Sequence, residues 1–191
     1  MSLIGFEGVA CLRGGRLLFE ALDLAIAPGE AVHVTGANGT GKSSLLRLAA
    51  GLLAPAAGRI ERPATIALAD EALALDRERT LGEALGWWAQ RDGGDLAAAL
   101  DAFGLTDLAP VPVRLLSTGQ ARRARLARVA ASGAKLWLLD EPLNGLDADG
   151  ISRLAAALSK HISSGGGVIV ASHVALGGAW RELALGQCSA R

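Results

Sequence analysis

The residues Gly36-Ala37-Asn38-Gly39-Thr40-Gly41-Lys42-Ser43 follow the spacing G-x-x-x-x-G-K-S. Glycines at this spacing let the backbone wrap a phosphate chain with its N–H groups turned inward. Lys42 offers a point charge to the β- and γ-phosphates, Ser43 offers a hydroxyl to Mg2+, and Ser44 completes the candidate nucleotide-binding run. Further along, Asp140-Glu141 follows the apolar run Leu136-Trp137-Leu138-Leu139. An aspartate at the carboxyl end of a strand near such a loop can hold Mg2+ through water. A glutamate directly after it can polarise a water for attack on a γ-phosphate. By itself Asp140-Glu141 reads equally well as a solvated strand exit; beside a phosphate loop the catalytic reading prevails. A third segment, Leu116-Ser117-Thr118-Gly119-Gln120, places small and hydroxyl residues before a long helical pattern. Ser117, Gly119 and the helix N-terminus behind them supply donors for an anion.

These groups need particular elements to position them. Glu30-Ala31-Val32-His33-Val34-Thr35 reads as a strand entering the loop, and Ser44–Ala50 as the helix leaving it. The N-terminus of that helix adds partial positive charge under the phosphates. Upstream, Val9–Leu12 and Arg16–Phe19 flank Gly14-Gly15 and predict a hairpin within an alternating stretch from Leu3 to Ala27. Strands are expected at Gly58–Ile60, Thr65–Ala69, Lys135–Leu139 and Gly167–Ala171, and helices over Leu81–Arg91, Leu96–Phe103, Gly119–Ala131 and Ala148–Ser159. Strands buried on both faces, alternating with helices, indicate an α/β sheet. Residues from about 71 to 131 change character and predict a small helical insert in one domain spanning 1–191.

Composition narrows the function classes. The chain has 191 residues, 51% of them hydrophobic, which suits one domain with a sizeable core. Nineteen basic side chains balance nineteen acidic ones, so no global basic field favours nucleic acid. Cys11 and Cys188 lack metal spacing and suggest a reduced, intracellular setting. No signal peptide is expected, and no apolar run approaches the roughly 20 residues of a membrane span.

The set Gly36–Ser43, Leu116–Gln120, Asp140-Glu141, Asn144-Gly145-Leu146-Asp147 and Ser172-His173 resembles, in order and spacing, the ATP-binding-cassette ATPases. The resemblance covers nearly the whole chain. It implies a P-loop NTPase fold: a RecA-like core, an N-terminal antiparallel β subdomain and a small helical subdomain. It further implies an ATPase using ATP and Mg2+, with Ser43 and Asp140 on the metal side and Glu141 as general base. By the same resemblance His173 senses the γ-phosphate. Leu116, Ser117, Thr118, Gly119 and Gln120 close over the ATP of a head-to-tail partner, and Asp147 communicates across that dimer. Within the superfamily the chain is similar to the ATP-binding subunit of the haem exporter of cytochrome c maturation, through Leu12–Phe19, Ser44–Leu52, Leu116–Arg123 and Trp137–Pro142. The implied function is an ATP-hydrolysing subunit, peripheral on the cytoplasmic face of the inner membrane, driving separate transmembrane permease subunits. Alternatives are a subunit of another small exporter, a soluble cassette acting on nucleic acid or ribosomes, and a nucleotide kinase. The kinase reading leaves Leu116–Gln120 and Asn144–Asp147 unexplained.

Some positions depart from the family pattern. Where most cassettes have a glutamine ahead of the helical insert, Ala67–Glu71 has none, so Asp70 or Glu71 would bring negative charge towards the phosphates. No tyrosine is present to stack on adenine; Arg13 could stack by its guanidinium plane or be an ordinary surface residue. Trp87-Trp88 reads either as packing of the insert or as the lining of a groove for a membrane subunit's helix. The arginines after Gln120 are expected mostly on a solvated face. His33 and His161 are expected to be structural.

Overall fold

The computed structural model describes residues 1–174 and 180–186. Strands β1 (Ile4–Arg13) and β2 (Arg16–Ile26) pair antiparallel around Gly14 and Gly15, whose φ values of 54° and 76° suit the tight turn predicted there. Alternation along both strands buries Ile4, Phe6, Val9, Phe19, Leu22 and Ile26 on one face. Strand β4 (Ala57–Glu61) joins the other edge of β1, giving the order β2-β1-β4.

The second sheet is built from β3 (Ala31–Thr35), β5 (Ile66–Ala69), β6 (Leu136–Asp140), β7 (Gly167–Ala171) and β8 (Arg181–Ala184). It is wholly parallel, with order β5-β6-β7-β3-β8. Every residue of β6 and β7 is buried, as their unbroken apolar runs require. Leu136, Leu138, Ile169 and Ala171 face a core shared with the antiparallel sheet and with α1 (Lys42–Ala49). Trp137, Leu139, Val168 and Val170 face the opposite core, which takes in residues of α2 (Leu81–Asp92), α3 (Leu96–Ala102), α4 (Thr118–Ala131) and α5 (Ala148–Ser163). Burying one leucine such as Leu46 contributes about 1.5–3 kcal/mol as an upper estimate.

Helices α2, α3 and α4 pack on one another, and α4 also lies on β5. Thr80 and Glu83 form a reciprocal capping box at the start of α2, and Asp95 caps α3. Two 3-10 turns, Thr106–Leu108 and Val113–Leu115, lead into α4.

Two features differ from expectation. Arg125 and Arg128 lie inside, at 8% and 7% exposure, and not on a solvated face. The buried stripe of α4 is rich in alanine (Ala124, Ala127, Ala131), which leaves room for a guanidinium beside it. Strand β8 was not expected, because Arg-Glu-Leu-Ala has neither an apolar run nor a turn signal; its place beside β3 makes it a strand. Cys188 falls outside the described residues. His161 stacks on Trp137 at 4.0 Å with planes 12° apart, and His33 Nε2 lies 3.0 Å from the Ser172 carbonyl. Both histidines thus make contacts that tie core elements together.

Candidate nucleotide site

The phosphate-loop segment leaves β3 at Gly36, where φ is 145° and an added Cβ would stand 2.6 Å from the Leu185 carbonyl oxygen. Only glycine fits. Ala37, Asn38 and Gly39 follow, exposed to solvent, and Thr40 Oγ1 donates to the Ala37 carbonyl at 2.9 Å. Gly41 has φ 105° and lies against the Phe19 ring, so the hairpin braces the loop from behind. Helix α1 then begins with no side-chain cap and no acidic residue in its first turn. Its first N–H groups and positive end are left for an anion.

Lys42, 7% exposed, turns its ammonium back over the loop. Nζ donates to the carbonyls of Gly36 (2.8 Å) and Ala37 (3.3 Å) and lies 3.3 Å from His173 Nε2. Ser43 hydrogen-bonds the Asp140 carboxylate. Burial pushes the Asp140 carboxyl above the usual carboxylate range, the Ser43 bond works against that, and the charge of Glu141 adds to it. Ser44 points elsewhere, bonding the buried thiol of Cys11.

Glu141 is in the left-handed region, with φ 45°. Such a conformation at a non-glycine residue costs about 1–3 kcal/mol and is held by its surroundings. Here the Glu141 N–H donates to the Ala171 carbonyl at 2.8 Å. The turn aims its carboxylate across the end of β7, and Oε1 lies 3.3 Å from His173 Nε2. Strand β7 sits between β3 and β6, so Ser172-His173, just beyond its end, falls between the loop lysine and Glu141. Lys42, Ser43, Asp140, Glu141 and His173 are therefore brought together by three adjacent strands. Among the described residues no cluster of three His, Cys, Asp or Glu is arranged to hold a metal ion. The hydroxyl–carboxylate pair of Ser43 and Asp140 fits a hard cation such as Mg2+, which takes few protein ligands and most of its shell from phosphate and water.

The Leu116–Gln120 segment stands apart from this group. Ser117 caps α4 by accepting from Gln120 N, and Gln120 Oε1 accepts from Ser117 N at 2.8 Å. Ser117 and Thr118 are exposed, Leu116 is partly buried, and the space beyond Gly119 is open. Of the five, Thr118 alone lines a cavity of about 380 Å3 that Asp140 and Glu141 also line. Asp147 caps α5, its Oδ1 accepting from Gly150 N at 2.8 Å. Arg122 Nη1 donates to the Gly145 carbonyl at 2.9 Å and joins α4 to the turn that precedes Asp147.

Residues 19–144 match the family described as ABC transporter. The cytochrome c biogenesis ATP-binding export protein CcmA of Sphingopyxis alaskensis is 56% identical over 177 residues, covering 91% of each chain. The protein of the same name from Novosphingobium aromaticivorans is 58% identical over 166 residues, covering 86% of this chain and 85% of its own. This chain belongs to the ABC transporter family, among the cytochrome c biogenesis ATP-binding export proteins. In fold, this ABC chain superposes on an ABC transporter ATP-binding protein from Pyrococcus furiosus with TM-score 0.84 and 22% identity, covering 98% and 99% of the two chains. Its nucleotide-binding, α/β P-loop character follows from that membership.

Sequence reasoning missed Arg125 and Arg128, and with them the partners of the Asp70 segment. Their spacing with Ala124, Ala127 and Ala131 on one helical face was the available signal.

Proposed function

We infer that this chain is the ATP-hydrolysing subunit of an ABC transporter complex acting in cytochrome c maturation. Its site residues bind ATP and energise separate membrane subunits, with haem as the cargo that the family resemblance implies. The observation that carries the catalytic part is the approach of His173 to both Lys42 and Glu141, 3.3 Å from each. The names of the relatives support the setting.

Residues 36–44 wrap the phosphates, and Lys42 exchanges its two loop carbonyls for phosphate oxygens. Mg2+, held by Ser43 and Asp140, would neutralise phosphate charge. Glu141 accepts a proton from a water as that water's oxygen attacks the γ-phosphorus. The bond from phosphorus to the bridging oxygen breaks, giving ADP and phosphate. His173 sits beside both Lys42 and Glu141 and orients the γ-phosphate.

Two chains pair head to tail in this reading, each presenting Leu116–Gln120 to the other's ATP. The exposed donors at the start of α4 support it, and so does Asp147, which lies in the neighbouring turn. One domain spans 1–191 with its helical insert at about 71–131. The insert carries a cavity of about 270 Å3 lined by Ala74, Asp76, Arg79, Ala84, Trp87 and Trp88. Trp88 packs against the core while Trp87 is 50% exposed, which supports reading the first as packing and the second as docking surface. Trp87 fits a helix of the membrane subunit. In this reading the subunit is peripheral to the cytoplasmic face of the inner membrane; no helix among the described residues is long and apolar enough to cross a membrane.

The test is Glu141→Gln. ATP binding should persist while turnover falls about 10²–10⁴-fold. Near-normal turnover would remove Glu141 from the role of base. Purification from native membranes should bring down polytopic subunits with a haem-handling partner; ribosomes or nucleic acid in their place would overturn the transporter setting.

A further inference from the structure

Arg125 reaches from the middle of α4 to the end of β5, where its Nη1 donates to the Asp70 carbonyl at 2.7 Å. Its Nε is buried and has no hydrogen-bond partner among the described residues. Arg128, one turn on, donates to the Leu68 carbonyl and packs 4.9 Å from the Trp88 ring centre. Two buried guanidiniums thus hold the segment that carries Asp70 and Glu71. The Asp70 carboxylate is engaged locally, accepting from Ala72 N at 3.1 Å. Glu71 differs: with Arg122, Arg125, Asp140 and Glu141 it lines the cavity of about 380 Å3. Three carboxylates therefore border one cavity, in a region that must also receive a polyanionic nucleotide. Like charges brought close together oppose one another. Burial lowers the Arg125 pKa from its usual value, while the charges of Asp70, Asp140 and Glu71 act to keep the guanidinium protonated.

We propose that Arg125 is a positioning residue that offsets the charge of Glu71 beside Asp140 and Glu141, so that an acidic side chain is tolerated at a place where a neutral amide would need no partner. Its bond to the Asp70 carbonyl fixes the turn that carries Glu71, and both residues, Arg125 and Glu71, line the same cavity. The inference rests on reading Glu141 as the general base.

A double-mutant cycle tests it, with Arg125→Met, Glu71→Gln and the pair in the full chain. ATP turnover, affinity for a fluorescent ATP analogue in EDTA, and melting temperature are measured for each. Arg125→Met should lower turnover and metal-free affinity about tenfold, and Glu71→Gln in the same chain should restore both to within about threefold. Equal losses in the single and double variants would overturn the proposal, since a packing role is blind to the charge at residue 71. So would an Arg125→Met protein with normal turnover and affinity. Should Arg125→Met fail to fold, Arg125→Lys takes its place. Retained charge should keep turnover within about threefold, and a tenfold loss would overturn charge offset. Wild-type turnover and its loss in Glu141→Gln are measured first. If they fail, the reading of Glu141 falls, while the metal-free binding cycle still decides Arg125.

Discussion

Ser117 has one function visible in the fold and another that the proposed dimer assigns, and two substitutions separate them. In the fold, Ser117 Oγ accepts the Gln120 N–H and caps α4. Replacing a serine cap by alanine costs about 1 kcal/mol. For a chain of this size that lowers the melting temperature by about 2–4 °C. Aspartate caps as well as serine, so Ser117→Asp should leave the melting temperature nearly unchanged. Its effect on pairing is opposite. A carboxylate facing the partner's γ-phosphate at about 4 Å, with an effective dielectric of about 20, opposes closure by about 4 kcal/mol, or roughly a thousandfold. The penalty applies at both sites of a symmetric pair. The assay is gel filtration of Glu141→Gln protein with ATP, where slow hydrolysis lets a closed dimer accumulate, alongside calorimetry of the same samples. Ser117→Ala should melt lower and dimerise weakly; Ser117→Asp should melt normally and stay monomeric. A Ser117→Asp protein that still dimerises on ATP would refute the placement of Ser117 against a γ-phosphate.

Other perturbations test the fold and the docking surface. Gly58 has φ 79°, and a Cβ there would overlap the carbonyl oxygens of Glu7 and Gly8. Gly58→Ala should cost about 3 kcal/mol from backbone strain and overlap, read as a lower urea midpoint; an unchanged midpoint would contradict the close β1–β4 approach. Burial lowers the His161 pKa, so between that value and the unfolded value of about 6.5 the unfolded chain binds more protons. Stability from this group is therefore complete above about pH 6.5 and is lost as pH falls towards the native value. His161→Phe keeps a ring on Trp137 and should flatten the fall in urea midpoint between about pH 7.5 and 5.5; equal slopes in the two proteins would count against it. Trp87→Ala loses an edge-to-face contact with Trp88 at 4.8 Å and should cost about 0.5–1.5 kcal/mol without unfolding the chain, yet reduce co-purification of membrane subunits. Undiminished recovery would move the docking surface elsewhere.

Much of the architecture was legible because its signals are local. Gly14-Gly15 between alternating strands and the unbroken apolar runs of β6 and β7 each carry their own structural instruction. The phosphate loop is likewise complete within one stretch. What could not be read is non-local. Asp70 and Glu71 looked hazardous because the cations facing them come from α4, more than fifty positions later. The same arginines looked solvated because a helical pattern cannot say which neighbour covers a polar side chain. Strand β8 exists only because β3 offers an edge, and Gly36 is required partly by the carbonyl of Leu185 that follows it. The left-handed turn at Glu141 has no residue-type signature at all; it is imposed by the bond to Ala171.

The strand order has a consequence for the birth of this protein. β7 is inserted between β3 and β6, so the two strands that carry the lysine and the carboxylates have no common neighbour until Gly167–Ala171 is made. A nascent chain shows its phosphate loop early but gains His173 last of the five clustered residues. At roughly 5–20 residues per second, the interval on the ribosome is on the order of ten seconds. Throughout that time the edge of β3 is open to wrong partners, joined by that of β6 for the last few seconds. In the proposed reading, nucleotide grip then waits on the insertion of β7, so that binding of ATP would report a sheet whose central strand is in place.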